Sequence, residues 1–244
     1  MNDILIEARD GLLAITLNRP QKANALTVAM NDALAAALHG ARSDASVRGV
    51  LISGAGERAF SGGVDVREPS TMPVEEFRQQ RSTTFFAVLM ALVELEKPVV
   101  AAVNGAASGG GFMIAALADF VVAAESASFS LPEIDLGSPP LAGLAILAPL
   151  CGGALAYDLV QTARKLSAAE AQQCGLVRSV VPAADVARHG EQLARELMAK
   201  NARAFARSKR WMREPVRAAL ELAEREMVVY RSQGSAGEQG EGGL

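Results

Sequence analysis

Two glycine turns and one carboxylate are the residues in this chain whose types and spacing could do chemistry. The turns are Ser61-Gly62-Gly63-Val64-Asp65 and Ser108-Gly109-Gly110-Gly111. Glycine lets a backbone approach a ligand closely and take φ > 0, and the first N–H groups of a helix have no intrahelical acceptor. Two such turns facing each other would make an oxyanion hole, where one backbone donor contributes roughly 3–4 kcal/mol of transition-state stabilisation. Taken singly, each turn is also how an ordinary loop is punctuated. The carboxylate is Glu133, in Phe129-Ser130-Leu131-Pro132-Glu133-Ile134. Apolar surroundings raise a carboxyl pKa, which suits a group that takes and returns protons near neutral pH. The same residue could instead cap a helix starting after Pro132, and Asp135 reads as exposed or as a cap.

Other chemistries find less support. The chain has no GxxxxGK[ST] or GxGxxG pattern, so neither a Walker-type site nor a dinucleotide fingerprint is indicated. Its two histidines exclude a multi-histidine metal site, and Cys151 and Cys174 fit no disulfide framework. His39 ends a helix and His189 lies in the helical tail. Neither is near a nucleophile turn, which argues against a serine–histidine–acid peptidase.

The elements that position these residues follow from pattern. Ile4-Leu5-Ile6 and Leu12 to Leu17 flank Asp10-Gly11 as a hairpin. Thr27 caps a helix with Met30, Leu34 and Leu38 on one face. Val47 to Ser53 is a strand, Ser61-Gly62-Gly63 a polar loop, and Val74 to Leu95 a helix. Val99 to Val103 is a buried strand, Phe112 to Leu117 an inner helix, and Phe120 to Ala123 and Ala127 to Ser130 short strands. The alternation continues to about Val181 and indicates an α/β fold. After Pro182 the chain reads as helical from Asp185 to about Arg231, with Pro215 as its one break. Gln233 to Leu244 is glycine-rich and expected to be mobile.

Half of the 244 residues are hydrophobic, enough for one well-filled core with a helical appendix. A net charge of −3 gives no basic field for nucleic acid or an anionic membrane. No apolar run approaches a membrane span, and Met1-Asn2-Asp3 does not open a signal peptide. A cytoplasmic protein is the expectation.

The segments together resemble the enoyl-CoA hydratase/isomerase (crotonase) superfamily. Asn18-Arg19-Pro20-Gln21-Lys22-Ala23-Asn24-Ala25-Leu26 is similar to its NRPxxxNAL loop, and Ala59 to Val66 to its AFxxGxD segment. Lys97 to Gly105 and then Ser108 to Gly111 match its KPxxAxxNGxAxGGG signature. Phe129 to Glu133, and Ala168-Ala169-Glu170-Ala171 with Gly175-Leu176-Val177, match later landmarks. The order and spacing hold from about residue 4 to 232.

The resemblance implies a spiral of β-β-α repeats over residues 1–182. It also implies a C-terminal helical region, 183–244, that serves trimer formation, often as a dimer of trimers. The substrate would be an acyl-CoA thioester. Coenzyme A is then part of the substrate, and no metal or separate cofactor is expected. By position, the N–H groups of Val64 and Gly110 fall on the family's oxyanion hole and Glu133 on its second catalytic glutamate. Lys22, Ala23 and Ala25 fall where CoA is bound, with Ser61, Gly63, Asp65 and Val66 grouped with them as substrate- or CoA-binding positions.

One departure bears on the reaction. Hydratases of the family carry another glutamate two residues beyond the glycine triplet, and here that residue is Met113. Adding water uses two carboxylates, whereas moving a double bond needs one base that takes a proton and returns it nearby. Enoyl-CoA isomerisation with Glu133 as sole acid/base is therefore the first expectation. Hydration, or another enolate reaction such as decarboxylation, hydrolysis or C–C cleavage, is the alternative, with Glu68, Asp65 or Asp135 supplying a carboxylate. A non-catalytic CoA-binding protein is the third reading. Many members also continue past the position of Leu244 into a CoA-contacting tail, so the chain is expected either to be truncated or to lack those contacts.

Overall fold

The computed structural model describes residues 2–237. β1 (Ile4–Arg9) and β2 (Leu12–Leu17) pair antiparallel, with left-handed φ at Asp10 (50°) and Gly11 (82°) making the turn. After a 3₁₀ turn at Pro20–Lys22, Thr27 Oγ1 accepts the Met30 N–H at 3.2 Å and starts α1 (Val28–Ser43). Met30, Leu34 and Leu38 face inward from it.

A pattern then repeats three times: a strand, a shorter strand, a helix. The first turn is β3 (Gly49–Gly54), β4 (Ala59–Ser61) and α2 (Val74–Glu94). The second is β5 (Val99–Val103), β6 (Ala106–Ser108) and α3 (Gly110–Leu117). The third is β7 (Phe120–Ala124), β8 (Ser128–Ser130) and, after a 3₁₀ turn at Pro132–Leu136, α4 (Leu141–Cys151). The chain continues through α5 (Gly153–Thr162), β9 (Leu166–Ser167), α6 (Ala168–Gln173) and β10 (Ser179–Val181).

Each turn gives one strand to each of two sheets. The longer strands form the sheet β1-β2-β3-β5-β7-β10, parallel from β2 onward, and the short ones form β4-β6-β8-β9. This is the expected spiral. β5, Val99-Val100-Ala101-Ala102-Val103, is buried at all five residues, as a parallel strand covered on both faces should be. Its alanines leave room for α7 (Val186–Met198), whose Gly190 sits against Ala102 and Leu51. The first helix beyond Pro182 thus packs on the main sheet.

The last helix, α8 (Ala202–Gly237), departs from expectation, because Pro215 does not interrupt it. Pro215 is solvent-exposed, so the acceptor it leaves free one turn back can turn to water. The break comes earlier, at residues 199–201, where Asn201 Oδ1 accepts the Ala204 N–H at 3.0 Å. Residues 233–237 of the glycine-rich end belong to α8, and 238–244 lie outside the described residues.

α8 is fixed to the core by buried charge. Lys209 Nζ donates to Asp119 Oδ2 at 2.7 Å and to the Lys97 carbonyl at 2.8 Å. Arg213 Nη2 donates to the carbonyls of Leu117 and Ala118, at the C-terminal end of α3, both at 2.9 Å. A cation there complements the helix dipole. Among the described residues, no helix is long and apolar enough to cross a membrane.

Candidate active site

β4, β6 and β8 are parallel neighbours, so their last residues, Ser61, Ser108 and Ser130, end on one edge of the small sheet. Ligands of parallel sheets sit at the carboxyl ends of the strands. The segments that leave these strands are therefore brought together: Gly62-Gly63-Val64 after β4, Gly109-Gly110 after β6, Leu131-Pro132-Glu133 after β8.

The contacts are close. Gly63 has φ +84°, and a Cβ on it would stand 2.7 Å from the Ser108 carbonyl oxygen and 2.9 Å from the Gly110 nitrogen. Gly109 has φ +52°, and a Cβ there would stand 2.9 Å from Glu133 Oε1. Only glycine fits either position, and the three segments touch in the order Gly63, Gly109-Gly110, Glu133.

Backbone pairing sets the direction of the first donor. Leu26 N–H donates to the Gly63 carbonyl and Asp65 N–H to the Leu26 carbonyl, both at 2.8 Å, forming a parallel bridge between Leu26 and Val64. The Val64 N–H points to the other side of that bridge. Gly110 opens α3, whose first intrahelical bond runs from Met113 N–H to the Gly109 carbonyl at 3.0 Å. Its N–H is one of the free donors at a helix N-terminus. Neither N–H has a protein acceptor among the described residues. The Phe85 ring of α2 lies under Gly110, so close that a Cβ there would meet its Cζ at 2.7 Å.

Glu133 sits in the 3₁₀ turn after β8, held by the Ser138 N–H donating to its carbonyl at 2.9 Å and by Gly137 in the left-handed region. Its Oε2 is buried without a hydrogen-bond partner. Burial pushes the carboxyl up to about 7, against a smaller opposing effect of its own backbone N–H. As the helix-start alternative expected, Glu133 stands in the first turn of the 3₁₀ helix that begins at Pro132, although no side-chain cap hydrogen bond is made at its N-cap, Leu131.

The loop of residues 19–26 is fastened to the first glycine turn by a residue that the motif supplied without a role. Asn24 is fully buried, with φ +54°, and its amide donates to the carbonyls of Ala55 and Ala59 at 3.0 and 2.8 Å. Its Oδ1 accepts the Arg19 N–H at 2.9 Å, and its carbonyl accepts Ser61 Oγ at 2.9 Å. A polar residue with a full hydrogen-bond set at a left-handed position is a fixed turn, and the Asn-Ala pair before an apolar run was its signal.

The other candidate positions divide accordingly. Ser61 is fully buried, its hydroxyl bridging Asn24 and the Gly63 N–H, so it shapes the turn. Asp65 pairs with Arg19 at 3.1 Å and likewise braces the loop. Gly63 is buried, while Lys22 and Val66 are exposed and Ala23 and Ala25 half-buried beside the turn. Of the alternative carboxylates, Asp65 is engaged by Arg19, Glu68 accepts the Val28 N–H at 3.0 Å, and Asp135 is exposed. Met113 is buried in α3.

A separate cavity of about 390 Å³ lies at the opposite ends of β3 and β5, with Arg48, Lys97, Met198 and Phe205 in its wall; the carboxylate in its lining, Glu96, pairs with Arg210 at 3.4 Å. Among the described residues, no cluster of three or more His, Cys, Asp or Glu could hold a metal ion.

Comparison with known proteins gives a consistent result. A sequence model described as enoyl-CoA hydratase/isomerase matches residues 7–240. A relative named carnitinyl-CoA dehydratase, from Salmonella typhi, is 40% identical over 202 residues, covering 81% of this chain and 76% of its own. The crystal structure of an enoyl-CoA hydratase/isomerase from Mycobacterium paratuberculosis superposes with a TM-score of 0.86 at 28% identity, covering 95% of this chain and 92% of that one. An enoyl-CoA hydratase from Bacillus anthracis gives 0.81 at 31% identity, covering 98% and 96%.

Proposed function

The chain belongs to the enoyl-CoA hydratase/isomerase (crotonase) family, and from that premise we propose that it moves the double bond of an enoyl-CoA thioester with Glu133 as its one acid/base. The observation that carries the reading is a lone carboxylate whose buried Oε2 has no hydrogen-bond partner, beside two adjacent backbone donors, with Met113 where a second carboxylate would stand. The thioester oxygen accepts from the Val64 and Gly110 N–H groups. Glu133 takes a proton from C4 of the 2-enoyl chain, giving a dienolate with its charge on that oxygen. It returns the proton to C2, which leaves the double bond between C3 and C4. A carboxyl with a pKa of about 7 serves both acts. Lys22, Ala23, Ala25 and Val66 flank the path of CoA, and Ser61, Gly63 and Asp65 hold the turn in shape. Coenzyme A enters as part of the substrate, and no separate cofactor takes part.

Reversible hydration is the second reading, favoured by the name of the 40% identical relatives. Purified enzyme given 2-enoyl- and 3-enoyl-CoA panels separates the two. Double-bond migration without water addition is expected, and hydration as the faster reaction would overturn the assignment. The sign of the pH dependence is set by Glu133, whose basic form starts the reaction. kcat/KM is expected to fall as pH drops below about 7, and a flat profile between pH 5 and 8 would exclude Glu133 as the base.

We also propose that the chain assembles as a trimer or a dimer of trimers. Leu193 and Leu220 are buried within the chain, but Trp211, Met212 and Leu222 on α8 are 78%, 69% and 52% exposed. A row of large apolar side chains on one helix marks a contact surface. Light scattering is expected to give at least three times the 25.5 kDa chain mass, and a monomer at micromolar concentration would refute the assembly.

A further inference from the structure

The cavity at the starts of β3 and β5 combines an apolar wall with a cationic rim, and the proposed reaction uses neither. Four segments build it. The chain entering β3 gives Val47 and the chain entering β5 gives Pro98, while α7 ends on it with Met198 and α8 opens on it with Phe205. Val47, Pro98 and Met198 are buried and the Phe205 ring is half-buried. The volume of about 390 Å³ falls within the range of roughly 300–1,000 Å³ typical of small-molecule sites.

The rim carries more positive charge than the chain answers. Arg42, Arg48, Lys97, Lys200 and Arg203 line the cavity against one carboxylate, Glu96, which Arg210 takes from outside the lining at 3.4 Å. Arg42 pairs with Glu94 at 2.6 Å. The remaining four make no ion pair among the described residues. Lys97 Nζ donates to the carbonyls of Ala41 and Asp44 at 2.5 and 2.6 Å, and Arg48 Nη2 to the Asp10 carbonyl at 3.3 Å, which orients both charges without neutralising them. The Lys200 ammonium and the Arg203 guanidinium, on either side of the break between α7 and α8, have no partner among the described residues. In a chain of net charge −3 this is a local excess of positive charge beside an apolar cavity.

We propose that this cavity is a second binding site, for an alkyl carboxylate, with the hydrocarbon chain against Met198 and Phe205 and the head group at the cationic rim. The wall calls for an apolar body and the rim for one compact anion. A phosphate without a hydrocarbon chain would leave the wall unfilled, and a neutral lipid would leave the rim unanswered. A carboxylate suits the planar fork of an arginine, and such a charge-assisted pair is strong where water is partly excluded. The site shares no residue with the glycine turns, the loop of residues 19–26 or Glu133, so the inference does not rest on the enoyl-CoA reading. Because the end of α7 and the start of α8 both line it, an occupant would bind only the form in which α8 is docked, and would stabilise that form.

Calorimetry with octanoate, octanol, acetate and inorganic phosphate separates the head group from the chain. Octanoate is expected to bind once per chain, at least about ten-fold more tightly than octanol, which lacks the charge, or acetate, which lacks the hydrocarbon. It should bind equally well to protein saturated with butyryl-CoA, and it should raise the melting temperature. Lys200→Ala combined with Arg203→Ala should weaken octanoate at least about ten-fold and leave octanol unchanged, which also reports that the cavity is intact. Ala206→Trp fills the cavity and should remove both ligands, with circular dichroism reporting the fold; if that variant fails to fold, the double alanine variant decides. Equal binding of octanoate and octanol overturns the proposal, as does no binding of octanoate at millimolar concentration. Octanoate that butyryl-CoA displaces and that the double variant does not weaken occupies the candidate active site instead, which also overturns it. Phosphate bound as tightly as octanoate would make the rim a phosphate site and overturn the assignment to an alkyl carboxylate.

Discussion

Replacing Glu133 by glutamine is expected to lower kcat by about 100–10,000-fold while CoA-ester affinity stays near that of the unaltered protein. Glutamine preserves the size of the side chain and a carbonyl acceptor beside Gly109, but it cannot take a proton and give it back. The loss should therefore fall on turnover. The stability effect has the opposite sign. Folding raises the Glu133 pKa from the usual 4.5 to about 7, so the native state favours the protonated form. Stability is full below the unfolded value and declines as pH rises from there through about 7. Glu133→Gln removes that decline and should leave the protein at least as stable at pH 8. Urea titrations at pH 5 and 8 beside the kinetics test both halves. Full turnover in the variant would remove Glu133 from the mechanism.

The largest loss of stability is expected from Asp119→Ala. Asp119 Oδ2 accepts the Val99 N–H at 2.8 Å and the Lys209 ammonium at 2.7 Å, and its Oδ1 stands 3.6 Å from Arg213. The Lys209 and Arg213 side chains are 3% and 8% exposed. Removing the carboxylate leaves two buried cations uncompensated and a strand N–H without its acceptor, which costs about 3–5 kcal/mol. For a chain of this size the melting temperature should fall by roughly 6–20 °C. Asp119→Asn keeps an acceptor for Val99 and should lose less. A change below about 2 °C in Asp119→Ala would mean that the cluster contributes little to holding α8 on the core.

The contrast between these residues shows what the sequence made legible. Glu133 and the glycine turns stood out because a carboxylate among apolar residues and runs of glycine are residue types that the interior of a strand or helix seldom uses. The hairpin was readable from Asp10-Gly11 between two apolar runs, β5 from an unbroken apolar run after Lys97-Pro98, and α2 from its length. β4, β6 and β8 are three residues each, too short for periodicity; β8 reads within Ala127 to Ser130, but β4 and β6 do not read as strands, and by sequence Ser61 falls in a polar loop. Yet it is their parallel pairing that lines up Gly63, Gly110 and Glu133, so the frame of the site was the part least visible. Asp119, Lys209 and Arg213 are 90 and more residues apart in places, and nothing local announces that they meet. Pro215 misled for the reverse reason. A local rule predicted a break, and the packing of α8 on its neighbours outweighed it.

The spiral has a consequence for how such a protein can diversify. Gly63 and Gly110 are separated along the chain by α2 and β5, yet they are stacked by the pairing of β4 with β6, which excludes α2 altogether. The helix that bears Phe85 is thus a loop-out between two fixed rungs. Its exposed first turns can be exchanged without moving the rungs, whereas Phe85, packed against Gly110, ties the helix to the second of them.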